Sequence, residues 1–368
     1  MGEPETLQLS EINYVHWRGR RLLYFAGCDY FRLAQHPAVL KAATDGLKKY
    51  GLNVAASRLT TGNNPVYAAL EKELARFFNV EAATLLASGY QTSSAVAQAL
   101  AGDFTHALAD ARAHPALLDA ARHLGCPLQT FKHRDVADFR RAVAACGPTA
   151  KIILLTDGMF SHDGSVAPLK AYSKILPRTG LLLVDDAHGA GILGKTGQGT
   201  PELAGLPRQR TIQCITLSKA FGTYGGAVLG SHKLREKIFT HARLFVGNTP
   251  LPPPLAAAAL QSVKILAKQP GLRTRLHKNL AHIKSVLQQA GFEISDAPGP
   301  IIPLHGLSVD EIASLRQRLF KAGIYPSFLK YPGGAAEGYF RFVISSAHTR
   351  AHLDLLASVL MEFKAAQN

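Results

Sequence analysis

The chain alternates short apolar runs with longer stretches of helical periodicity. The runs are Thr84–Ala87, His106–Ala109, Leu128–Phe131, Ile152–Thr156, Leu181–Asp185, Ile212–Thr216 and Ala227–Gly230. Several are apolar without alternation, as in Ile152-Ile-Leu-Leu and Leu181-Leu-Leu-Val. Strands covered on both faces read this way, and such strands belong to mainly parallel sheets. Between them, apolar residues recur at helical spacing over Pro65–Phe78, Thr92–Ala101, Pro115–Leu124 and Leu169–Leu176. Strand and helix in alternation predict a doubly wound α/β domain.

The pattern changes at Phe245-Val-Gly-Asn-Thr-Pro-Leu-Pro-Pro-Pro. A helix from Leu255 to about Lys268 follows. Then come a helix (Leu272–Ala290), a strand (Ile301–Leu304), a helix (Val309–Ala322), a strand (Tyr339–Ser345) and a helix (Ala351–Phe363). That spacing predicts a smaller α+β domain. The opening residues read as an arm, with strand signals around Arg21–Phe25. The expected division is an arm over 1–35, a large domain over 36–255 and a small C-terminal domain over 256–368.

Composition narrows the class. Hydrophobic residues make up 47% of the 368 and charged residues 18%, enough for a true core and too little charge for a disordered chain. No apolar run approaches the roughly 18 to 20 residues that cross a bilayer, so no membrane partner is expected. The N-terminus lacks the apolar core and cleavage site of a secretory signal. Cys28, Cys126, Cys146 and Cys214 are scattered without metal-ligand spacing. They point to a reducing cytoplasm and to no metal site. The net charge of +15 is spread along the chain. Its densest stretches, Lys132 to Arg141 and Leu272 to Lys284, read as basic faces of amphipathic helices, and no nucleic-acid-binding module is recognised.

Gly189-Ala-Gly-Ile-Leu-Gly-Lys-Thr fits a phosphate-loop pattern. That mechanism needs a helix to begin at the Lys-Thr pair, and Gly197, Gly199 and Pro201 oppose one. A stronger constellation lies beside it. Asp185, in Leu183-Val-Asp-Asp-Ala-His-Gly, ends a buried strand at the edge where open α/β sheets bind ligands. Lys219, in Thr216-Leu-Ser-Lys-Ala-Phe-Gly, follows the next strand. Its crowded, backbone-rich surroundings favour a Schiff-base nucleophile. Taken alone, Asp185 could cap a turn and Lys219 could sit on the surface. Together they suit pyridoxal phosphate, which needs a lysine for its aldehyde and a carboxylate for its ring nitrogen. Ala87-Ser-Gly-Tyr-Gln-Thr-Ser follows a strand and opens a helix, so amides near Gly89 and Tyr90 can grip the phosphate.

At this point the sequence resembles the α-oxoamine synthases, fold-type-I pyridoxal-phosphate enzymes. The markers are Asp29-Tyr…Leu33-Ala-Gln-His-Pro, Ser57-Arg-Leu-Thr-Thr-Gly, Ser88-Gly-Tyr, Asp110…His114, Thr156-Asp-Gly-Met-Phe-Ser-His-Asp-Gly, Val184-Asp-Asp-Ala-His-Gly, Thr216-Leu-Ser-Lys and Ser345-Ser-Ala-His-Thr. The resemblance implies a mainly parallel seven-stranded sheet with helices on both faces. It implies a transferase that condenses an amino acid with an acyl-CoA, releasing CoA and carbon dioxide. By motif, Lys219 matches the imine lysine and acid/base, Asp185 the partner of the ring nitrogen, and His114 the imidazole stacked on the ring. His188 and Ser161 match hydrogen-bond partners of the ring hydroxyl region. Ser88, Gly89, Tyr90 and Thr216 match phosphate contacts. Thr249 matches a residue that reaches the neighbouring subunit's phosphate, which implies a homodimer with shared sites. Arg341 matches the arginine for the substrate carboxylate. Cys28 stands where the family usually has an asparagine that orients that carboxylate. Arg32 stands where it usually has a glycine, and Val54-Ala-Ala-Ser-Arg replaces a glycine-rich stretch. An aminotransferase or aldolase on the same scaffold, and a basic binding protein without catalysis, are the alternative readings.

Overall fold

The seven apolar runs become the strands of one sheet: β1 (Ala82–Leu86), β2 (His106–Asp110), β3 (Leu128–Phe131), β4 (Ile152–Asp157), β5 (Leu181–Asp185), β6 (Thr211–Thr216) and β7 (Gly226–Gly230). The computed structural model describes residues 6–330 and 337–367, so the first five residues of the expected arm lie outside the described residues. Its strand order is β1-β7-β6-β5-β4-β2-β3. β7 runs antiparallel to both neighbours, and the other adjacent pairs are parallel.

Alternate residues of the buried strands feed two separate cores. Ala107, Ala109, Ile153, Leu155 and Leu183 pack on one face with Leu117 and Ala120 of the helix Pro115–Ala121. Leu108, Ile152, Leu154, Leu182 and Val184 pack on the other with Phe139 and Tyr172 of the helices Val136–Ala145 and Leu169–Ile175. Both faces are covered, which is why the strands read as unbroken apolar runs. Each buried leucine, isoleucine, valine or phenylalanine among them contributes about 1.5–3 kcal/mol on burial. This unit holds His36–Phe160 and Ser165–Pro270. The helix Pro253–Lys268, expected to open the small domain, packs in it instead: Gly46 of the helix Pro37–Tyr50 leaves room only for Ala257 and Pro254 to approach.

The phosphate-loop look-alike ends in turns, and no helix starts at Lys195. Most of its amides are already taken, the Gly189 and Ala190 N–H groups by the Asp186 carbonyl at 3.1 and 2.9 Å. The Glu202 carboxylate accepts the Thr196 and Gln198 N–H groups at 3.0 and 2.9 Å. An anion there would meet another anion.

The second unit is built from residues 6–35, Ser161–Gly164 and the described residues from Gly271 onward. It holds two antiparallel three-stranded sheets, Gln8–Leu9/Tyr14–Trp17/Arg20–Leu23 and Ile301–Leu304/Tyr339–Val343/Phe328–Leu329. The opening segment is woven into its core. Leu23 bridges to Ile324, and Phe25 packs with Leu280, Phe340 and Phe342. His348 locks this arrangement. Its Nδ1 accepts the Ser345 N–H at 3.0 Å, its Nε2–H donates to the Tyr24 carbonyl at 3.2 Å, and its ring lies 4.3 Å from that of Phe25. Burial first, then the Arg32 charge, holds its pKa well below the usual histidine value.

A histidine kept neutral in the fold but free to charge once unfolded adds stability above pH ~6.5 and loses it as pH falls below that value. Chemical denaturation between pH 5 and 7.5 should show that slope in the native chain, and His348→Gln should flatten it.

Candidate active site

The reversed direction of β7 brings its first residue beside the last residues of β1 and β6, Leu86 and Thr216. The turns after β1, β2, β4, β5 and β6 therefore meet at one edge of the sheet. Glycine makes the closest approaches there. A Cβ on Gly89 would lie 2.6 Å from that of Thr216, and one on Gly226 would lie 2.6 Å from the Cα of Gly89. Gly89 precedes the helix Tyr90–Ala99, whose N-terminus has no side-chain cap. That end points its first N–H groups outward, as an anion site does. The Thr216 and Ser218 hydroxyls, 2.7 Å apart, stand next to it.

His114 lies in the loop after β2 and caps the helix Pro115–Ala121, its Nδ1 accepting the Ala116 N–H at 3.2 Å. Its own N–H donates to Asp157 Oδ2 at 2.8 Å. Asp157 and Asp185 end β4 and β5 and are laterally paired. Asp185 Oδ1 accepts the Ala187 N–H at 3.1 Å, which begins the turn to His188. His188 Nε2 lies 2.7 Å from Lys219 Nζ. These groups line one cavity of about 310 Å³, together with Ser88, Gly89, Tyr90 and Thr216. An amine, carboxylates, two imidazoles and an anion-accepting turn thus share one space.

Burial lowers the His114 pKa; Asp185 opposes that shift and Lys219 adds to it. Burial pushes the Asp157 carboxyl well above the ordinary aspartate range, and the Asp185 charge pushes it further. Asp157 was not singled out in the sequence, although it ends an apolar strand as Asp185 does. Tyr90 is half-exposed, and its hydroxyl donates to Asp119 at 2.6 Å.

The remaining expected residues are not among those that line this cavity. Thr249 is exposed in the loop before the helix Pro253–Lys268 and does not line this cavity. Arg341, Cys28 and Ser161 come together within the second unit. Buried Arg341 donates from Nη1 to the Ser161 carbonyl at 3.0 Å, and its Nη2 stands 3.7 Å from Cys28 Sγ. Arg32, at the position expected for glycine, keeps a left-handed φ of 56°. Its guanidinium is tied to Asn13 Oδ1 at 3.1 Å and to the Tyr24 carbonyl at 3.0 Å.

Comparison with known proteins places these features in context. The family model described as aminotransferase class I and II matches residues 26–360. The 8-amino-7-oxononanoate synthase of Thioalkalivibrio sulfidiphilus is 37% identical over 347 residues, spanning 93% of this chain and 88% of that protein. Its counterpart of known structure from Francisella tularensis is 25% identical, with a TM-score of 0.80 over 94% of this chain and 98% of its own. A structure of SPT, serine palmitoyltransferase, with PLP is 24% identical and shares the fold, with a TM-score of 0.92 over 98% and 92% of the two chains.

A carboxyl kept protonated in the fold costs stability progressively as pH rises past ~4, where the unfolded chain has already ionised. Asp157→Asn keeps an acceptor for the His114 N–H and removes that cost. Denaturation midpoints should match the native chain's at pH 4 and exceed them at pH 8.

Proposed function

The chain belongs to the class I and II aminotransferase family and, within it, to the α-oxoamine synthases; from that premise we propose a pyridoxal-phosphate-dependent C-acyltransferase of the 8-amino-7-oxononanoate synthase type. It joins an α-amino acid to the acyl group of an acyl-CoA, with loss of CoA and carbon dioxide. The observation that carries the reading is the meeting of Lys219 and Asp185, from successive strand ends, in one cavity with the uncapped helix start at Gly89.

That lining fits the cofactor. The amides at the helix start and the hydroxyls of Ser88, Thr216 and Ser218 suit a phosphate. When bound, pyridoxal phosphate supplies an aldehyde for an amine and a ring that stores the electron pair left at the substrate's α-carbon. Lys219 is assigned the amine that anchors the cofactor and then the base that takes the α-proton. Asp185 is assigned the proton at the ring nitrogen. His114 is held neutral by burial, which suits an apolar contact against the ring, and its cap bond fixes the imidazole in place. His188, within a hydrogen bond of Lys219, is placed to pass protons with it. Ser161 is assigned to the ring hydroxyl region.

Arg341 is assigned the substrate carboxylate. Its guanidinium is oriented by the Ser161 carbonyl, and a two-pronged fork binds a carboxylate better than an ammonium does. Cys28 lies beside that fork and is assigned to the same subsite.

A homodimer belongs to the proposal, with Thr249 reaching the phosphate of the other copy. The exposed Leu40 and Leu47 on the helix Pro37–Tyr50, followed by exposed Leu52 and Leu59, support a covered face there. Four free cysteines support a reducing compartment, the cytoplasm. Among the described residues, no helix is long and apolar enough to cross a membrane.

Thiol release from acyl-CoA that depends on an amino acid, with mass spectrometry of the α-amino ketone, tests the reaction. Keto-acid-dependent transamination without thiol release would overturn it. Lys219→Ala should abolish the visible absorbance acquired with pyridoxal phosphate and cut turnover at least ~1,000-fold. Arg341→Lys should raise KM for the amino acid about tenfold or more while the visible absorbance is kept.

A further inference from the structure

We propose that Asp186 is a positioning residue: its carboxyl group, outside the cavity, binds the turns at 157–158, 185–189 and 198–200 into one block and so sets where Asp157, Asp185 and His188 stand. The proposal rests on reading the cavity as a pyridoxal-phosphate site.

Asp186 is fully buried and absent from the cavity lining. Its main-chain N–H donates to the Cys214 carbonyl at 2.8 Å, so its backbone is held by β6. The side chain enters a nest of donors. Oδ2 accepts the Thr200 N–H at 3.0 Å and the Gln213 Nε2 at 2.6 Å, and Oδ1 accepts the Thr200 hydroxyl at 2.7 Å. Gln213 is itself oriented, its Nε2 donating to the Gln198 carbonyl at 2.8 Å and its Oε1 accepting from Arg208 Nη1 at 2.7 Å. Arg208 in turn donates to the Phe78 carbonyl at 2.7 Å.

Three glycines close around the same carboxyl. A Cβ on Gly158 would lie 2.4 Å from Oδ1, one on Gly189 would lie 2.2 Å from Oδ1, and one on Gly199 would lie 1.8 Å from Oδ2. No side chain fits at any of the three. The backbone itself wraps the group, and two of the three wrapping residues directly follow cavity residues, Gly158 after Asp157 and Gly189 after His188. The Gly158 N–H also donates to the Asp185 carbonyl at 2.7 Å. A displacement of the Asp186 carboxyl is thus felt at three turns at once. Burial pushes this carboxyl up to about 7, against the pull of Thr200 and Gln213.

An asparagine at 186 would turn an amide N–H₂ toward donors that need an acceptor. Asp186→Asn and Thr200→Val, each checked for folding by far-ultraviolet circular dichroism, therefore probe the block from two sides; if the first fails to fold, the second decides. In the cofactor-free protein, hydrogen exchange should quicken about tenfold in peptides covering all three turns, with native rates over 128–145. In protein soaked with pyridoxal phosphate, Kd should rise about tenfold, and visible circular dichroism per bound chromophore should fall by about half, because the asymmetric placement is relaxed. Faster exchange confined to the Thr200 peptide, or native values in both measurements, overturns the proposal. Native protein that stays colourless with pyridoxal phosphate sinks the reading of the cavity instead, and the exchange data still decide on Asp186.

Discussion

Everything at the cavity depends on how parallel strands, buried on both faces, are allowed to end. Inside the sheet apolar side chains predominate and a buried polar one such as Gln213 must be hydrogen-bonded, so ionisable chemistry is expelled to the strand ends. Here β4, β5 and β6 expel an aspartate, an aspartate and a threonine at the same edge. β7, running the other way, starts at that edge rather than ending there, and its glycine start leaves the space that the turn after β1 fills. The site is therefore a by-product of strand direction. Reverse that one strand and the uncapped helix start at Gly89 loses the wall it packs against.

The parallel sheet was legible in the sequence because burial on two faces writes itself as unbroken apolar runs. The strands Leu128–Phe131, Leu181–Asp185 and Ile301–Leu304 have the bounds that their composition suggested. Asp185 and Lys219 were legible because each follows such a run. Asp157 follows one equally well, yet its neighbours Thr156 and Gly158 carry no charge partner in sequence that marks it. Its pairing with Asp185 is lateral, across strands, and a linear text does not show what lies sideways. The same holds for Asp186, whose partners Thr200 and Gln213 are brought to it by a separate turn and by the neighbouring strand β6. The grouping of the helix Pro253–Lys268 was also hidden, since an apolar helix face looks alike whichever core it joins.

Arg32 and Ala55 stand where glycine was expected. Both keep left-handed backbone, with φ of 56° and 49°, at positions where an L side chain carries about 1–2 kcal/mol of strain. Arg32 offsets it with two hydrogen bonds from its guanidinium. At Arg32 the side chain itself holds the turn in place.

The second unit is assembled from residues 6–35, four residues near the middle and the described residues from Gly271 onward. Phe25 and Leu23 have no core to enter until the strand Tyr339–Val343 and the helix Arg350–Ala365 exist. During synthesis the larger unit has its whole sheet available long before that, while the strand Arg20–Leu23 and Phe25 must wait, apolar and unsatisfied, until the helix Arg350–Ala365 has left the ribosome. Leu23 and Phe25 thus find their partners late, and a break anywhere between Tyr339 and Ala365 would orphan them.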